Sequence, residues 1–349
     1  PFPVIYYHEV VACAFVLSEF YLHVCKFTII PEPAATSGKK SLHGVIPPAG
    51  DAQPPEKKER KMHGICSLPG RHGHAKSKRV RSHPPQELLP LYGLYHKNTT
   101  MIKEIREHRS IRRYKPEPIP STVMEEILEA ASRASTVGNM QLYSIIVTTS
   151  RELLEQLAPL HFNQPAATTA PVLLTFCADI HRFSRWCELR GAEPGYDNFC
   201  WFMNGVTDAL LASQNACLEA EAHGLGICYL GTTLYNAGEI ARILRLPKGV
   251  LPVMTVAMGY PETLPPLTDR LPLDAVVHRD TYTDYTPERL EILWREREAS
   301  AETQQLLAEN RLPNLARIFT ERRYVREDNV TFSRKYFDEL VEQGFFNQQ

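Results

Sequence analysis

None of the eight cysteines forms a CxxC pair, and none clusters with histidine at metal-ligand spacing, so nothing points to a zinc module or a thiol redox motif. The cysteines are Cys13, Cys25, Cys66, Cys177, Cys187, Cys200, Cys217 and Cys228. Cys217 falls in an amphipathic helical pattern and Cys177 in an apolar strand pattern, where a small buried hydrophobe is expected. They read as free thiols in a reducing, cytoplasmic setting. Long uncharged apolar runs are also missing. Residues 3–30 are rich in apolar side chains, but His8, Glu9, Glu19, His23 and Lys26 interrupt them, which excludes a membrane span there. The same stretch lacks the basic start and small-residue cleavage pattern of a secretory signal. No Ser/His/Asp constellation is apparent, and no GxGxxG sits between a strand and a helix.

Net charge is scarce as well, at −1, but the balance is uneven. Residues 1–100 carry 13 Lys+Arg against 7 Asp+Glu, an excess of +6, and the remainder carries −7. Residues 31–95 are dense in Pro, Gly, Ser, Lys, Arg and His, with runs at Lys57-Lys58-Glu59-Arg60-Lys61 and Lys76-Ser77-Lys78-Arg79-Val80-Arg81. Such composition buries too little apolar area to offset its ordering entropy, so residues 1–100 are expected to be a largely disordered, Pro-rich basic segment. The alternative is a nucleic-acid-binding tail, disfavoured because aromatics are not interleaved with the cations. The chain begins with Pro1, and Met101 opens the organised part, so residues 1–100 are expected to be upstream sequence joined to the protein proper.

From Met101 the pattern becomes regular. Ser121 reads as a helix N-cap, with Met124, Ile127, Leu128 and Ala131 on one face. Residues 144–149 and 253–258 read as strands, and 172–178 as a fully buried one. Ser150 and Asn236 read as caps of two further helices, the first with Leu153, Leu154 and Leu157 inward. A long helix is expected from Gly205 to His223, ended by Gly224 at its C′ position. Thr286-Pro287-Glu288 opens a charged helical tail over 286–349. Helices and few strands around one long apolar helix indicate an α+β sandwich.

Four elements could carry chemistry. His108, Arg109, Ser110 and Arg112 concentrate cations and a hydroxyl, suited to a phosphate. Ser135-Thr136-Val137-Gly138-Asn139-Met140-Gln141 lies between a helix and a strand and offers small polar groups to a ring edge. Gly224 to Thr232 is glycine-rich, allowing close backbone approach to a flat ring, with Tyr229 able to line it or to pack in the core. Arg270-Leu271-Pro272 supplies a late cation.

In this order the four resemble the nitroreductase superfamily, above all its oxygen-insensitive, NADPH-dependent nitroreductase and flavin reductase branch. The strings that carry the resemblance are His-Arg-Ser-Ile-Arg (108–112), Phe-Cys-Ala-Asp (176–179), Asp-Ala-Leu-Leu-Ala-Ser-Gln-Asn-Ala (208–216), Gly-Leu-Gly (224–226), Leu-Pro-Lys-Gly-Val-Leu-Pro (246–252) and Arg-Leu-Pro (270–272). The resemblance covers His108 to about Tyr282 densely and 283–349 loosely. It implies a three-layer α/β/α sandwich with a mostly antiparallel sheet around a long central helix. It also implies a homodimer with FMN at the interface, a flavin-binding domain over 101–282, and a C-terminal extension over 283–349 packed on the partner.

Carried over, His108, Arg109, Ser110, Arg112 and Arg270 would hold the FMN phosphate and ribityl chain. Ser135, Thr136, Val137, Gln141 and Gln164 would lie on one side of the ring, and Tyr229, Leu230, Gly231 and Thr232 on the other, largely through backbone. Two positions depart from the family: Gly231-Thr232 replaces a glycine run, and Thr268 stands where a lysine usually faces the flavin's N1–O2 edge. Arg322, Arg323 and Arg326 are candidates for the NADPH 2′-phosphate. The implied activity is two-electron transfer by a ping-pong hydride mechanism from NADPH or NADH to nitroaromatics, quinones or flavins, needing no protein nucleophile. The competing readings are a flavin-binding protein of the same fold with another role, such as reductive dehalogenation or flavin storage, and a basic-tailed nucleic-acid-binding protein.

Overall fold

The computed structural model describes residues 100–347. The readings of residues 1–99, disorder and nucleic-acid binding among them, lie outside the described residues.

Four strands form one antiparallel sheet in the order β1-β2-β4-β3: β1 Tyr143–Thr148, β2 Val172–Asp179, β3 Gly226–Leu230 and β4 Val250–Gly259. Every residue of β2 and β4 is buried, which is why both read as continuous apolar runs. Alternation along the pleat then sorts side chains to two faces. Val172, Leu174, Phe176 and Ala178 point to one layer, with Ile227, Val256 and Met258, whereas Leu173, Cys228, Leu230 and Ala257 point to the other. A fully buried side chain of this size contributes roughly 1.5–3 kcal/mol.

The first layer holds α2 (Ser121–Ser132) and α6 (Phe199–Ala222); the second holds α3 (Arg151–Leu157), α4 (Pro165–Thr169) and α7 (Ala237–Ile243). The short α1 (Lys103–Glu107) precedes them, and α5 (His181–Leu189) follows β2. This is the expected three-layer sandwich. Helix α6 approaches its neighbours closely because small residues line it: Ala209, Ala212, Ala216 and Ala220 are all at 0% exposure. At Gly205 a Cβ would meet the Leu142 carbonyl oxygen at 2.9 Å and Ala178 Cβ at 3.1 Å.

Several local expectations change. Helix α6 begins at Phe199, six residues before Gly205, where the Asn198 side chain accepts from Trp201 N at 3.3 Å. Its far end is as read: Gly224 takes φ +75°, its N–H donates to Glu221 O, and Leu225 N–H donates to Ala220 O, a Schellman closure. Ser121 is the first helical residue of α2, not its cap, because Pro120 holds the cap position without a side-chain bond. Ser150 and Asn236 stand at cap positions but make no capping bond. The Asn236 side chain instead donates to Leu160 O and accepts from Lys335 Nζ. Strand β4 starts at Val250 because Pro252 sits at a bulge, opposite Cys177, and interrupts no needed ladder bond.

The tail is helical: α8 Pro287–Ala299, α9 Ala301–Asn310, α10 Leu315–Ile318 and α11 Arg326–Glu342. Thr286 caps α8 by accepting from Arg289 N at 3.2 Å. The last helix returns to its own chain's core, where Tyr336, Leu340 and Phe345 are buried and Lys335 Nζ lies 2.8 Å from Glu239 Oε1. Helices α8 and α9 bury only Leu293 and Thr303. The five cysteines among the described residues are all thiols, outside any disulfide, and none of the described helices is long and apolar enough to cross a membrane.

Candidate functional site

The basic segment is fixed by its apolar neighbours. Ile111 and Tyr114 are buried, Ile111 N–H donates to Ile227 O at 2.9 Å, and Tyr114 Oη donates to Ala257 O at 2.9 Å. Ser110 bridges Ile227 in parallel, so the segment lies along β3, the edge strand. A Cβ at Gly226 would come within 2.4 Å of Ile111 Cγ1, so a glycine is what lets the segment sit this close. With Ile111 driven inward, its extended neighbours Ser110 and Arg112 turn to the other side. Arg109 Nη1 donates to Pro265 O at 3.3 Å, tying the segment to the stretch that carries Arg270. Arg270 itself is exposed and donates to the Thr268 and Asp269 carbonyls. His108 Nδ1 lies 2.7 Å from Glu221 Oε1 near the end of α6, a contact between residues 113 apart.

The 135–141 loop is braced from below. Asp208, on α6 and 1% exposed, accepts from Val137 N and Leu142 N, each at 3.0 Å, one through each carboxylate oxygen. Ser135 and Gln141 are exposed, and Thr136 and Val137 half-buried. The backbone here is left-handed at Gly138, Asn139 and Gln141, with φ of 54°, 55° and 55°. A second left-handed pair, Phe162 and Asn163, with φ of 55° and 49°, immediately precedes Gln164. Among the described residues, four of the seven non-glycine residues with positive φ thus fall in two candidate loops, and strain of this kind gathers at functional sites.

In the glycine turn the side chains mostly face away from any ligand. Leu230 is 1% exposed in the second-layer core. The Tyr229 ring packs against the first layer, and its hydroxyl meets Ser213 Oγ at 3.2 Å and Gln214 Oε1 at 3.3 Å on α6. Burial holds the Tyr229 phenol well above its usual range, so it stays a neutral donor. Gly231, like Gly224, opens on free space, with nothing within 4 Å of where a Cβ would stand. Thr232 is buried, and its Oγ1 lies 2.9 Å from His161 Nδ1.

His161 and Asp208 are the residues that sequence reasoning missed. His161 is wholly buried, Nε2 has no partner, and burial depresses its pKa to about 4, so the imidazole is neutral. It joins the loop that precedes Gln164 to the turn that holds Thr232, across 71 residues. Burial likewise pushes the Cys217 thiol up to about 12, against the opposing hydrogen bond from Tyr229, which makes it inert.

Helix α6 is the ruler that brings these parts together. Asp208 holds one loop, and Ser213, five residues on and so ~7.5 Å along the axis, meets Tyr229. A polar cavity of about 330 Å³, lined by Glu193, Asp197, Asn198 and Asn347 among others, lies at the opposite, N-terminal end of α6 and contains none of the candidate residues.

Residues 105–260 match the model of the nitroreductase family. An NADPH-dependent FMN reductase of Bacillus subtilis is 35% identical over 183 residues, covering 52% of this chain and 74% of that protein. An oxygen-insensitive NADPH nitroreductase of Salmonella typhimurium is 37% identical over 178 residues, covering 50% and 71%. A crystal structure of a Bacteroides fragilis protein, 43% identical, superposes with a TM-score of 0.69 over 70% of this chain and all of that one. Matches of this extent, over a fold with the expected layers and antiparallel sheet, settle the kinship: the chain belongs to the nitroreductase family.

Proposed function

We propose that this protein is an FMN-dependent NAD(P)H oxidoreductase, a nitroreductase or flavin reductase acting as a homodimer. The observation that carries the reading is the pinned segment 108–112. Two guanidinium groups, a hydroxyl and an imidazole are presented on a backbone tied to β3 by Ile111 and to β4 by Tyr114. Forked donors of this kind suit a phosphate dianion. With Glu221 engaging Nδ1 of His108, Nε2 remains for a phosphate oxygen. Arg270 would join through the tie between Arg109 and Pro265.

The residues present fit a flat, phosphorylated ring. Gly231 opens on space where a side chain would obstruct a planar group, and the orphaned Nε2 of His161 lies behind the same turn. Ser135, Thr136, Val137, Gln141 and Gln164 would meet one side of the ring, and the backbone of Tyr229, Leu230, Gly231 and Thr232 the other. When bound, FMN supplies two-electron transfer between a reduced nicotinamide and an acceptor such as a nitroaromatic, a quinone or a free flavin. The chain's own residues bind, orient and exclude water. Asp208 keeps the 135–141 loop in its left-handed course, and neutral His161 holds Thr232 in place.

A second copy of the chain is supported by unburied apolar side chains. Leu264, Leu267, Leu273, Val276, Val277 and Ile292, in the stretch after β4 and in α8, are all exposed. Arg322, Arg323 and Arg326, at a π-helical turn and the start of α11, would read the NADPH 2′-phosphate. The direct test is Arg112→Ala. The wild-type protein is expected to purify with flavin absorbance and to oxidise NADPH with a quinone; the variant should lose the absorbance and regain turnover only with excess FMN. A variant that keeps a full complement of flavin contradicts the reading.

A further inference from the structure

Helices α2 and α6 are joined by a three-residue cluster that the proposed activity does not use. His223 Nε2 lies 2.9 Å from Glu126 Oε2 and 3.2 Å from Glu219 Oε1. All three atoms lie within 4.8 Å of one another. Glu219 and His223 are four apart on α6 and so share a face; Glu126 reaches them from α2.

We propose that Glu126, Glu219 and His223 form a site for a divalent first-row transition ion of the zinc class. An imidazole Nε2 carries at most one hydrogen, which cannot bond well to two carboxylate oxygens at once. A cation at the centre satisfies all three. Around zinc, with Zn–N and Zn–O near 2.0–2.1 Å, tetrahedral ligand atoms stand roughly 3.3 Å apart. The two separations, 2.9 and 3.2 Å, are within a few tenths of an ångström of that spacing. Three protein ligands leave a fourth position to water, and the exposed side chains of Glu126 and Glu219 leave an open approach. His223 is also the C-cap of α6, where the carbonyl ends of the helix favour a cation. One nitrogen and two carboxylates suit zinc, cobalt or nickel and not magnesium or calcium, which take oxygen ligands in larger number.

Such an ion would clamp α2 to the end of α6. Helix α2 leads into the 135–141 loop, and α6 leads through Gly224 into β3, so the clamp would stiffen both approaches to the proposed flavin site. The proposal stands whether or not flavin binds there.

The test is titration calorimetry of the full chain, freed of metal with a chelator, against ZnCl2, with thermal melts alongside. The histidines and cysteines of residues 1–99 can take up zinc as well, so the decisive readout is a difference. The wild type is expected to bind one equivalent more than E126Q or H223Q, with micromolar or tighter affinity, and to gain several degrees in melting temperature that both variants lose. MgCl2 should give neither effect. Glu126 is exposed, so the E126Q protein is expected to melt as the wild type does without metal. Equal stoichiometry and affinity in wild type and both variants, or no saturable zinc binding, overturns the proposal.

Discussion

The sheet with α6 and the stretch from Pro261 to Ile318 are built on opposite terms. In the first, eight residues of β2 and ten of β4 are all buried, and small residues let a helix close upon them. In the second, large apolar residues stay exposed and each of α8 and α9 buries a single side chain. One region buries its own apolar surface; the other leaves apolar side chains exposed. The candidate loops are anchored in the first region by two buried polar groups, Asp208 and His161.

The sharpest way to break this contrast is Gly205→Leu. The new side chain would meet the Leu142 carbonyl, a backbone atom that cannot step aside, and the expected loss is at least about 3 kcal/mol by chemical denaturation. Next is His161→Leu, read against pH. The folded pKa of about 4 is below the usual value of 6.5, so the unfolded chain takes up a proton before the native state does. Stability should therefore be complete above pH 6.5 and fall by up to about 3 kcal/mol as pH drops from there to about 4. The leucine variant should show a flatter profile across that window; an unchanged slope would place the effect elsewhere. Asp208→Ala removes the acceptor of two backbone N–H groups and should cost about 2 kcal/mol, with flavin affinity falling more steeply than stability. The smallest stability effect, within about 0.5 kcal/mol, is expected for Val276→Asp with Leu273→Asp in the exposed stretch. Sedimentation should nonetheless report a monomer, and a dimer that survives would refute the role given to that surface.

Features set by near neighbours in sequence were readable before any coordinates. The buried strands, the glycine stop of α6 and the burial of Cys177 and Cys217 all follow from periodicity and one special φ. The start of α6 was not readable, because a helical glycine argues against itself until the close approach of Leu142 and Ala178 is seen to demand it. Pro252 hid the start of β4 for a similar reason, because the bulge beside it at Val253 shows only in the pairing with β2. Within the site, the basic segment and the glycine turn were visible as strings. Asp208 and His161 gave no signal of their own, since the partners that give them meaning lie 66 to 71 residues away. The Glu221 partner of His108 is farther still.

The strip from Ser110 to Tyr114 has a second consequence for the way this protein ages and aggregates. By pairing with Ile227 near the start of β3 it covers part of an edge that would otherwise offer unpaired amides and carbonyls to any neighbouring chain. The cations proposed to grip a cofactor are therefore mounted on the same ribbon that keeps copies of the molecule from zipping together. Proteolysis or a deletion that peels this ribbon away should yield insoluble material, and not merely a colourless protein.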